Sequence, residues 1–326
     1  MPLVSVLLAA RDASLYLREA VASVLAQTER DLELIVIDDA STDATPAILD
    51  GVDDPRLVVR RNDRRTGLAA SLNQALELAR GDWVARLDAD DVALPRRLEL
   101  QLARARADGL AVVGSAILEL DAVGSTHRLH PMPRTPAEVR WHALFSSPFF
   151  HPSVLVDRRV LAEHGLGYDE TFDESEDYDL WARVLRHADG ANLPRPLLLY
   201  RVHEGQATRR RRDVQRDFQR RVAFRELSHV APELDAAALE GAWRLGTGEG
   251  AGDAEAFERL LVRFEERQGR TEEVRAAAAR TLARAGERGR ALALVPTLPT
   301  DVAGERIRRA AVAREARREA LDVLAR

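Results

Sequence analysis

Four groups of residues in this 326-residue chain could carry chemistry: Asp38-Asp39, Asp88-Ala89-Asp90-Asp91, Glu176-Asp177-Tyr178-Asp179 and His203. Three carboxylates within four residues repel one another strongly if left unpaired. A divalent cation such as Mg²⁺ or Mn²⁺ takes hard oxygen ligands of this kind and could in turn bind a diphosphate. The same tetrapeptide could simply start a helix, since Asp caps helices and Pro95 suits a first turn. The acids of Glu176–Asp179 either offer a general base or favour a helix N-terminus. All 48 basic residues are Arg, and Cys is absent. Thiol nucleophiles, Cys-ligated zinc, disulfides and Schiff-base or Walker-type lysines are thereby excluded. The chemistry must come from Asp, Glu, His, Arg and hydroxyls.

The elements that would position these groups alternate between two hydrophobic periods. Leu3–Leu8, Leu32–Ile37, Arg56–Arg60, Trp83–Leu87 and Leu110–Leu120 have strand length and apolar character. Between them, Ser14–Gln27, Ser41–Leu49, Gly67–Arg80 and Pro95–Ala107 carry helical spacing. Such alternation predicts an α/β fold with a mostly parallel sheet, whose ligands bind beyond the carboxyl ends of the strands. Asp38-Asp39 and Asp88–Asp91 fall at two such ends. Further on, Pro131–Pro136 reads as a connector, Ser153–Val156 as a strand, and Arg158–His164 and Glu176–His187 as helices. Leu197–Val202 is the last expected strand. Helix-forming residues then dominate, in Arg209–Ser228, Glu233–Leu245, Asp253–Gln268, Glu272–Ala285 and Asp301–Ala325.

Two domains are expected, residues 1–205 and an all-helical region over 206–326. The first carries a net charge of −10 and the second +5. An acidic front half argues against nucleic acid as a partner. No apolar run reaches the ~18–20 residues of a membrane span. Met1-Pro2-Leu3-Val4-Ser5 lacks the basic start of a signal peptide, so a cytoplasmic location is expected.

The stretch VSVLLAARDASLYLREAVASVLAQTERDLELIVIDDASTD closely resembles the opening of family 2 glycosyltransferases of the GT-A fold. NDRRTGLAASLN, RLDADDVALPRR, EDYDLW and YRVHEG continue the resemblance in the family's order over about 205 residues. The resemblance implies a nucleotide-binding sandwich and an inverting transfer from a nucleotide-diphosphate-sugar donor to a hydroxyl of a saccharide or lipid-linked acceptor. It implies that Asp39 accepts from the nucleobase, while Asp38 either does the same or caps the turn. Ala9 and Arg11 follow from it as nucleotide contacts in the first-strand loop. Arg64, Arg65 and Gly67 lie where the family's loop approaches the nucleotide, or else form a solvated turn. Asp88 falls nearer the ribose and Asp90 on the metal, Mn²⁺ or Mg²⁺. Asp91 supports the loop or caps the next helix. Asp177 matches the catalytic base, and His203 is a metal ligand, a phosphate contact or a structural residue. His151 is expected to shape the acceptor pocket, and Trp181 to lie in the core. Arg11 stands where many members carry an aromatic residue, and a guanidinium can also stack on a base.

Two other classes compete. A nucleotidyltransferase would use the same sheet and acids for pyrophosphate chemistry, but Ala9–Ala13 lacks the Gly-rich loop usual there. A non-catalytic nucleotide-sugar-binding scaffold would not need both Asp90 and Asp177. The +5 helical region is expected to pack on the acidic domain or to self-associate into a homo-oligomer. Peripheral contact with an anionic membrane through its arginines is the less favoured reading, because the apolar residues of the last helix are mostly Ala.

Overall fold

The computed structural model describes residues 4–122, 124–203, 212–295 and 310–319. Its frame is a nine-stranded sheet: β1 (Val4–Ala10), β2 (Leu32–Asp38), β3 (Leu57–Arg61), β4 (Trp83–Arg86), β5 (Val92–Ala93), β6 (Val112–Asp121), β7 (Thr126–His130), β8 (Leu155–Asp157) and β9 (Gly190–Val202). Its order is β3-β2-β1-β4-β8-β6-β9-β5, with β7 paired to β6. β1 lies between β2 and β4, parallel to both, and β6 runs parallel to β9. β8 inserts antiparallel between β4 and β6. The sheet is therefore mostly parallel, as the α/β alternation predicts, but not wholly so.

Helices α1 (Leu17–Leu25), α2 (Thr45–Asp50), α3 (Leu68–Leu78) and α4 (Arg97–Asp108) fill the connections between the first strands. β1 and β2 are buried along nearly their whole length, because helices cover both faces. Leu8, Val36 and Leu17 pack on one face, and Leu7, Ile35 and Leu72 on the other. The register places Ala10 opposite Asp38. The chain leaves β1, β2 and β4 at one edge, which brings Arg11, Asp39 and the Asp88 loop into a common region.

Two differences from the sequence expectation bear on the site. β9 begins seven residues before Leu197, running through Pro194 and Pro196. Proline cannot donate to a ladder, and register shifts around Ala116 accommodate the pair. Between the expected Pro-rich connector and the next strand, α5 (Pro136–His142) forms behind a capping box in which Thr135 and Glu138 satisfy each other's backbone. Next come a short 3₁₀ turn (His151–Ser153), α6 (Arg158–Glu163) and α7 (Glu176–Val184).

The later helices are α8 (Arg212–Val230), α9 (Ala236–Thr247), α10 (Ala254–Gln268), α11 (Glu272–Arg284) and α12 (Arg288–Leu294). Asp235, Asp253 and Thr271 cap three of them. Their core is not their own alone. Trp141, Leu144 and Phe145, from α5 and the residues after it, share a cluster with Trp243, Phe257 and Phe264. The Trp141 ring meets Phe257 and Phe264 edge-on, at 5.5 and 5.2 Å between centroids. Residues 310–319 are helical and return to the sheet. Ala316 is buried among Val92, Leu118 and Leu199, and Arg195 pairs with Glu315 and Glu319. The rest of the expected Asp301–Ala325 helix, with Arg306, Arg308 and Arg309, lies outside the described residues. So do Glu204-Gly205 and Arg209–Arg211.

Candidate active site

A cavity of about 680 Å³ opens at the carboxyl edge of the parallel strands. One wall comes from the loops after β1 and β4 and from the end of β9: Ala9, Arg11, Tyr16, Asp88, Asp90 and His203. The other comes from the segment after α5 and from α7 and α8: His142, Ser147, Glu176, Asp177, Gln215 and Gln219. The cavity thus unites eight of the residues singled out in the sequence: Ala9, Arg11, Asp88, Asp90, His151, Glu176, Asp177 and His203. Asp39, Arg65 and Gly67 do not line it.

The acids after β4 are held from below. Arg86, buried at the end of β4, forms an ion pair with Asp88. Burial pushes the Asp88 carboxyl up, with the Arg86 charge opposing and Asp90 adding to the rise. β5 pairs with β9, which carries Arg201 to the acid loop. Arg201 donates from its backbone N–H to Asp91 Oδ1 at 2.8 Å and from Nε to the Asp90 carbonyl at 2.8 Å. Its guanidinium lies 4.2 Å from the centroid of the Tyr16 ring, which in turn contacts the His203 ring. His203 Nε2 is 2.9 Å from Asp90 Oδ2.

Asp91 supports the loop, one of its two expected roles. It also belongs to the group of three carboxylates that the sequence offers to a divalent cation. Ligand atoms of Asp88, Asp90 and Asp91 all lie within 4.8 Å of one another. Asp91 Oδ2 is buried with no hydrogen-bond partner. Burial, then the charges of Asp88 and Asp90, raise the Asp91 carboxyl well above the usual range. An all-oxygen cluster with an orphaned buried acceptor fits a hard divalent cation, whose charge would relieve that repulsion.

Asp39 has a different setting. Its Oδ1 accepts from the Thr66 N–H at 2.7 Å, from Thr66 Oγ1 at 2.9 Å and from Asn62 Nδ2 at 3.1 Å. Its Oδ2 accepts from the Gly67 N–H at 2.9 Å. Burial alone would raise this carboxyl; the four donors more than offset it and hold it below the usual range. Asp39 therefore folds the 62–67 loop onto β2, with Gly67 at φ 97°, a conformation that favours glycine. Arg11 Nη1 donates to the Asp39 carbonyl at 3.3 Å, linking that loop to the cavity wall. Asp38 accepts from the Ser41 N–H, so of its two expected roles the contacts show turn capping.

Asp177 is the second residue of α7. The helix is entered through Ser175 at φ 62°, left-handed for a residue with a side chain. Ser175 Oγ donates to the Gln215 carbonyl at 3.3 Å. Tyr178 anchors the next position by donating to the Ala143 carbonyl at 2.7 Å. Burial raises the Asp177 carboxyl to about 6, against the Tyr178 N–H and the Arg86 charge. Glu176 rises to about 8, from burial and then from the Asp177 charge. Asp179 is structural, paired with Arg183 and Arg225. His151 lines the cavity with Nε2 2.8 Å from Tyr168 Oη; burial, then Arg86, hold it neutral. Trp181 is buried in the core as expected.

Residues 5–165 match the model of the family described as glycosyl transferase family 2. The chain is 32% identical over 218 residues to an uncharacterised glycosyltransferase of Haemophilus influenzae, covering 64% of this chain and 68% of that one. The chain belongs to glycosyl transferase family 2. It is also 33% identical over 220 residues to the succinoglycan biosynthesis protein ExoO of Rhizobium meliloti, covering 64% of this chain and 63% of that protein. Among solved structures, this glycosyltransferase resembles S. aureus TarS 1–349 in complex with UDP, at TM-score 0.57 and 18% identity over 90% of each chain. It also resembles the mannosyltransferase PcManGT of Pyrobaculum calidifontis, in complex with GDP-Man and Mn²⁺, at TM-score 0.55 and 17% identity over 92% of this chain and 88% of that one. These likenesses show the GT-A fold. The match to the family model ends before Asp177 and His203. Arg86 could have been suspected from its place beside Asp88; Gln215 and Gln219 carry no such signal.

Proposed function

We propose that this glycosyltransferase moves a sugar from a nucleotide-diphosphate-sugar to an acceptor hydroxyl by single displacement with inversion. The observation that carries the reading is one cavity holding the clustered acids Asp88 and Asp90 together with a half-buried carboxylate, Asp177. Asp88, Asp90 and Asp91 would hold a divalent cation, Mn²⁺ or Mg²⁺, with His203 as a further ligand beside Asp90. A cation bound there supplies positive charge against the leaving diphosphate. Ala9, Arg11 and Asp88 line the nucleotide's place. Asp39, Arg65 and Gly67 contribute to it through the 62–67 loop, which is held on Asp39, the residue whose carbonyl Arg11 touches.

Asp177 takes the proton of the attacking hydroxyl. A carboxyl raised to about 6 is ionised at neutral pH yet more basic than an ordinary aspartate. Burial produces that value; the Ser175 and Tyr178 contacts anchor the helix start on which Asp177 sits, and Ser147 Oγ lies 3.5 Å from its Oδ2. A covalent intermediate is not required.

The neighbours named for UDP and for GDP-Man with Mn²⁺ support a nucleotide-sugar donor and a divalent ion. The relative named for succinoglycan supports a place in polysaccharide or glycoconjugate biosynthesis, with a saccharide or lipid-linked acceptor. This reading divides the chain near residue 205, keeps the reaction cytoplasmic, and allows homo-oligomer contacts through the later helices. No helix among the described residues is long and apolar enough to cross a membrane.

The test is a screen of nucleotide-sugars with Mn²⁺ or Mg²⁺, read as nucleoside diphosphate release and product anomeric configuration. Release of pyrophosphate instead would indicate nucleotidyl transfer, and donor binding without turnover would indicate a scaffold.

A further inference from the structure

Arg201 is buried on β9, with 3% of its side chain exposed, and stands behind the cavity rather than in its lining. Each of its side-chain nitrogens reaches a different part of the chain. Nε donates to the Asp90 carbonyl at 2.8 Å, and Nη1 to the carbonyl of Asp121, the last residue of β6, at 3.4 Å. Nη2 pairs with Glu19 Oε2, in the first turn of α1. The guanidinium also lies over the Tyr16 ring, 4.2 Å from its centroid. A guanidinium can hold such a set at once, because its donors diverge in one rigid plane and its faces stack on aromatic rings.

Two routes lead from this side chain to the same acid. The direct route is the hydrogen bond to the Asp90 carbonyl. The other runs through Tyr16: its ring meets the His203 ring at 5.3 Å between centroids, and His203 Nε2 lies 2.9 Å from Asp90 Oδ2. The backbone and the carboxylate of Asp90 are thereby both tied to one guanidinium. Glu19 holds that guanidinium from the far side. Its side chain is 35% exposed and lies outside the cavity lining, yet two contacts join it to the acid loop.

We propose that Arg201 is the positioning residue of the acid loop, and that Glu19 and Tyr16 tune cation affinity at Asp90 by holding its guanidinium in place. The inference rests on the cation reading of Asp88, Asp90 and Asp91 and extends it to a carboxylate outside the cavity. Charge and position have opposite signs at Arg201. A positive group near a cation site repels the cation, so its removal should tighten binding if Arg201 acts by charge alone. If Arg201 holds the loop, its removal should weaken binding, as the loss of a partner behind a metal ligand does.

The experiment titrates the full chain with Mn²⁺ alone, reading free ion by electron paramagnetic resonance, with circular dichroism to follow the fold. Arg201→Met should weaken Mn²⁺ binding about 10- to 100-fold. Tyr16→Leu should weaken it about two- to tenfold, and Tyr16→Phe, which keeps the ring, should lose less. Glu19→Gln should weaken it about two- to fivefold. In the Arg201→Met background Glu19→Gln should change nothing further, because its effect passes through the guanidinium. Tighter or unchanged Mn²⁺ binding by folded Arg201→Met, or an equal effect of Glu19→Gln with and without Arg201, would overturn the proposal. If Arg201→Met does not fold, unchanged binding in both Glu19→Gln and Tyr16→Leu overturns it. Failure of the wild type itself to bind Mn²⁺ would overturn the cation reading, and this proposal with it.

Discussion

The two walls of the cavity are built on different principles. The wall after β1 and β4 is a consequence of sheet topology. Parallel strands end together, so short loops with acids at those ends converge wherever the fold forms. The wall from α5, α7 and α8 depends on packing between segments far apart in sequence: Tyr178 on Ala143, Ser175 on Gln215, and Trp141 on Phe257. The first wall should fail when a charge is removed. The second should fail when a contact is removed, even one well away from the cavity.

The largest expected loss is on the first wall. Asp90→Asn keeps the side-chain shape but removes the charge that the clustered acids offer a cation. Transfer should fall by about 10³-fold or more, since such a cation is worth several kcal/mol in the transition state. Chelation of the wild-type protein should have the same effect, with re-addition of Mn²⁺ restoring activity only in the wild type. Full activity in excess chelator would remove the metal from the mechanism.

On the second wall, Asp177→Asn should lower turnover by about 10²–10⁴-fold while donor affinity stays near wild type. Calorimetric titration with donor separates the outcomes: collapse of donor binding would make Asp177 a binding or structural group. The pH profile gives an independent check. Asp177 must be ionised to act, and burial places it at about 6. Under saturating metal and donor, turnover should decline as pH falls through about 6 and level off above it. Asp177→Asn should abolish that acid limb.

The contrast between walls also explains what was legible in sequence. The β1–β4 frame could be read because each strand is a short apolar run bounded by turn residues, and each helix has its own period. The resemblance rests on contiguous blocks such as RLDADD, which fix Asp88 and Asp90 by local order. Asp39 was legible as a position, but its contacts depend on Thr66 and Gly67 curling back from 27 and 28 residues away. Nothing in the peptide around it announces that its carboxylate is already occupied. The apolar run Leu197–Val202 marks only the end of β9; its first half, Gly190–Pro196, is a strand because it pairs with β6, which no local pattern shows. Gln215 and Gln219 sit in a polar, Arg-rich helix whose periodicity marks no face. Their relation to the base arises from how α8 crosses α7.

If the second wall depends on packing at a distance, a mutation behind it should weaken both fold and transfer. Phe257 is fully buried, against Trp141 and Phe145. Phe257→Ala should cost about 3–5 kcal/mol of stability. Chemical denaturation measures this directly. At temperatures where the variant is still folded, its acceptor KM should rise more than its donor KM, because α5 and α8 border the acceptor side. Equal shifts in both would mean that the two walls move as one body.

The smallest effect is expected where residues 310–319 return to the sheet. Arg195 pairs with Glu315 and Glu319 at 3.1 and 2.8 Å, and Arg195 is 29% exposed on its side chain. Partly exposed pairs of this kind are worth no more than about 1 kcal/mol and weaken with salt. Ala316, by contrast, is fully buried on Val92 and Leu199 beside the acid loop. Arg195→Ala should therefore change stability by at most about 1 kcal/mol, an effect that disappears in high salt. It should leave the protein off anionic vesicles in a co-sedimentation assay, because this helix has its apolar side against its own sheet. Salt-sensitive vesicle binding by the wild type that Arg195→Ala strengthens would mean instead that the helix exchanges the sheet for lipid. The +5 region would then be a membrane contact held in reserve rather than a packing unit.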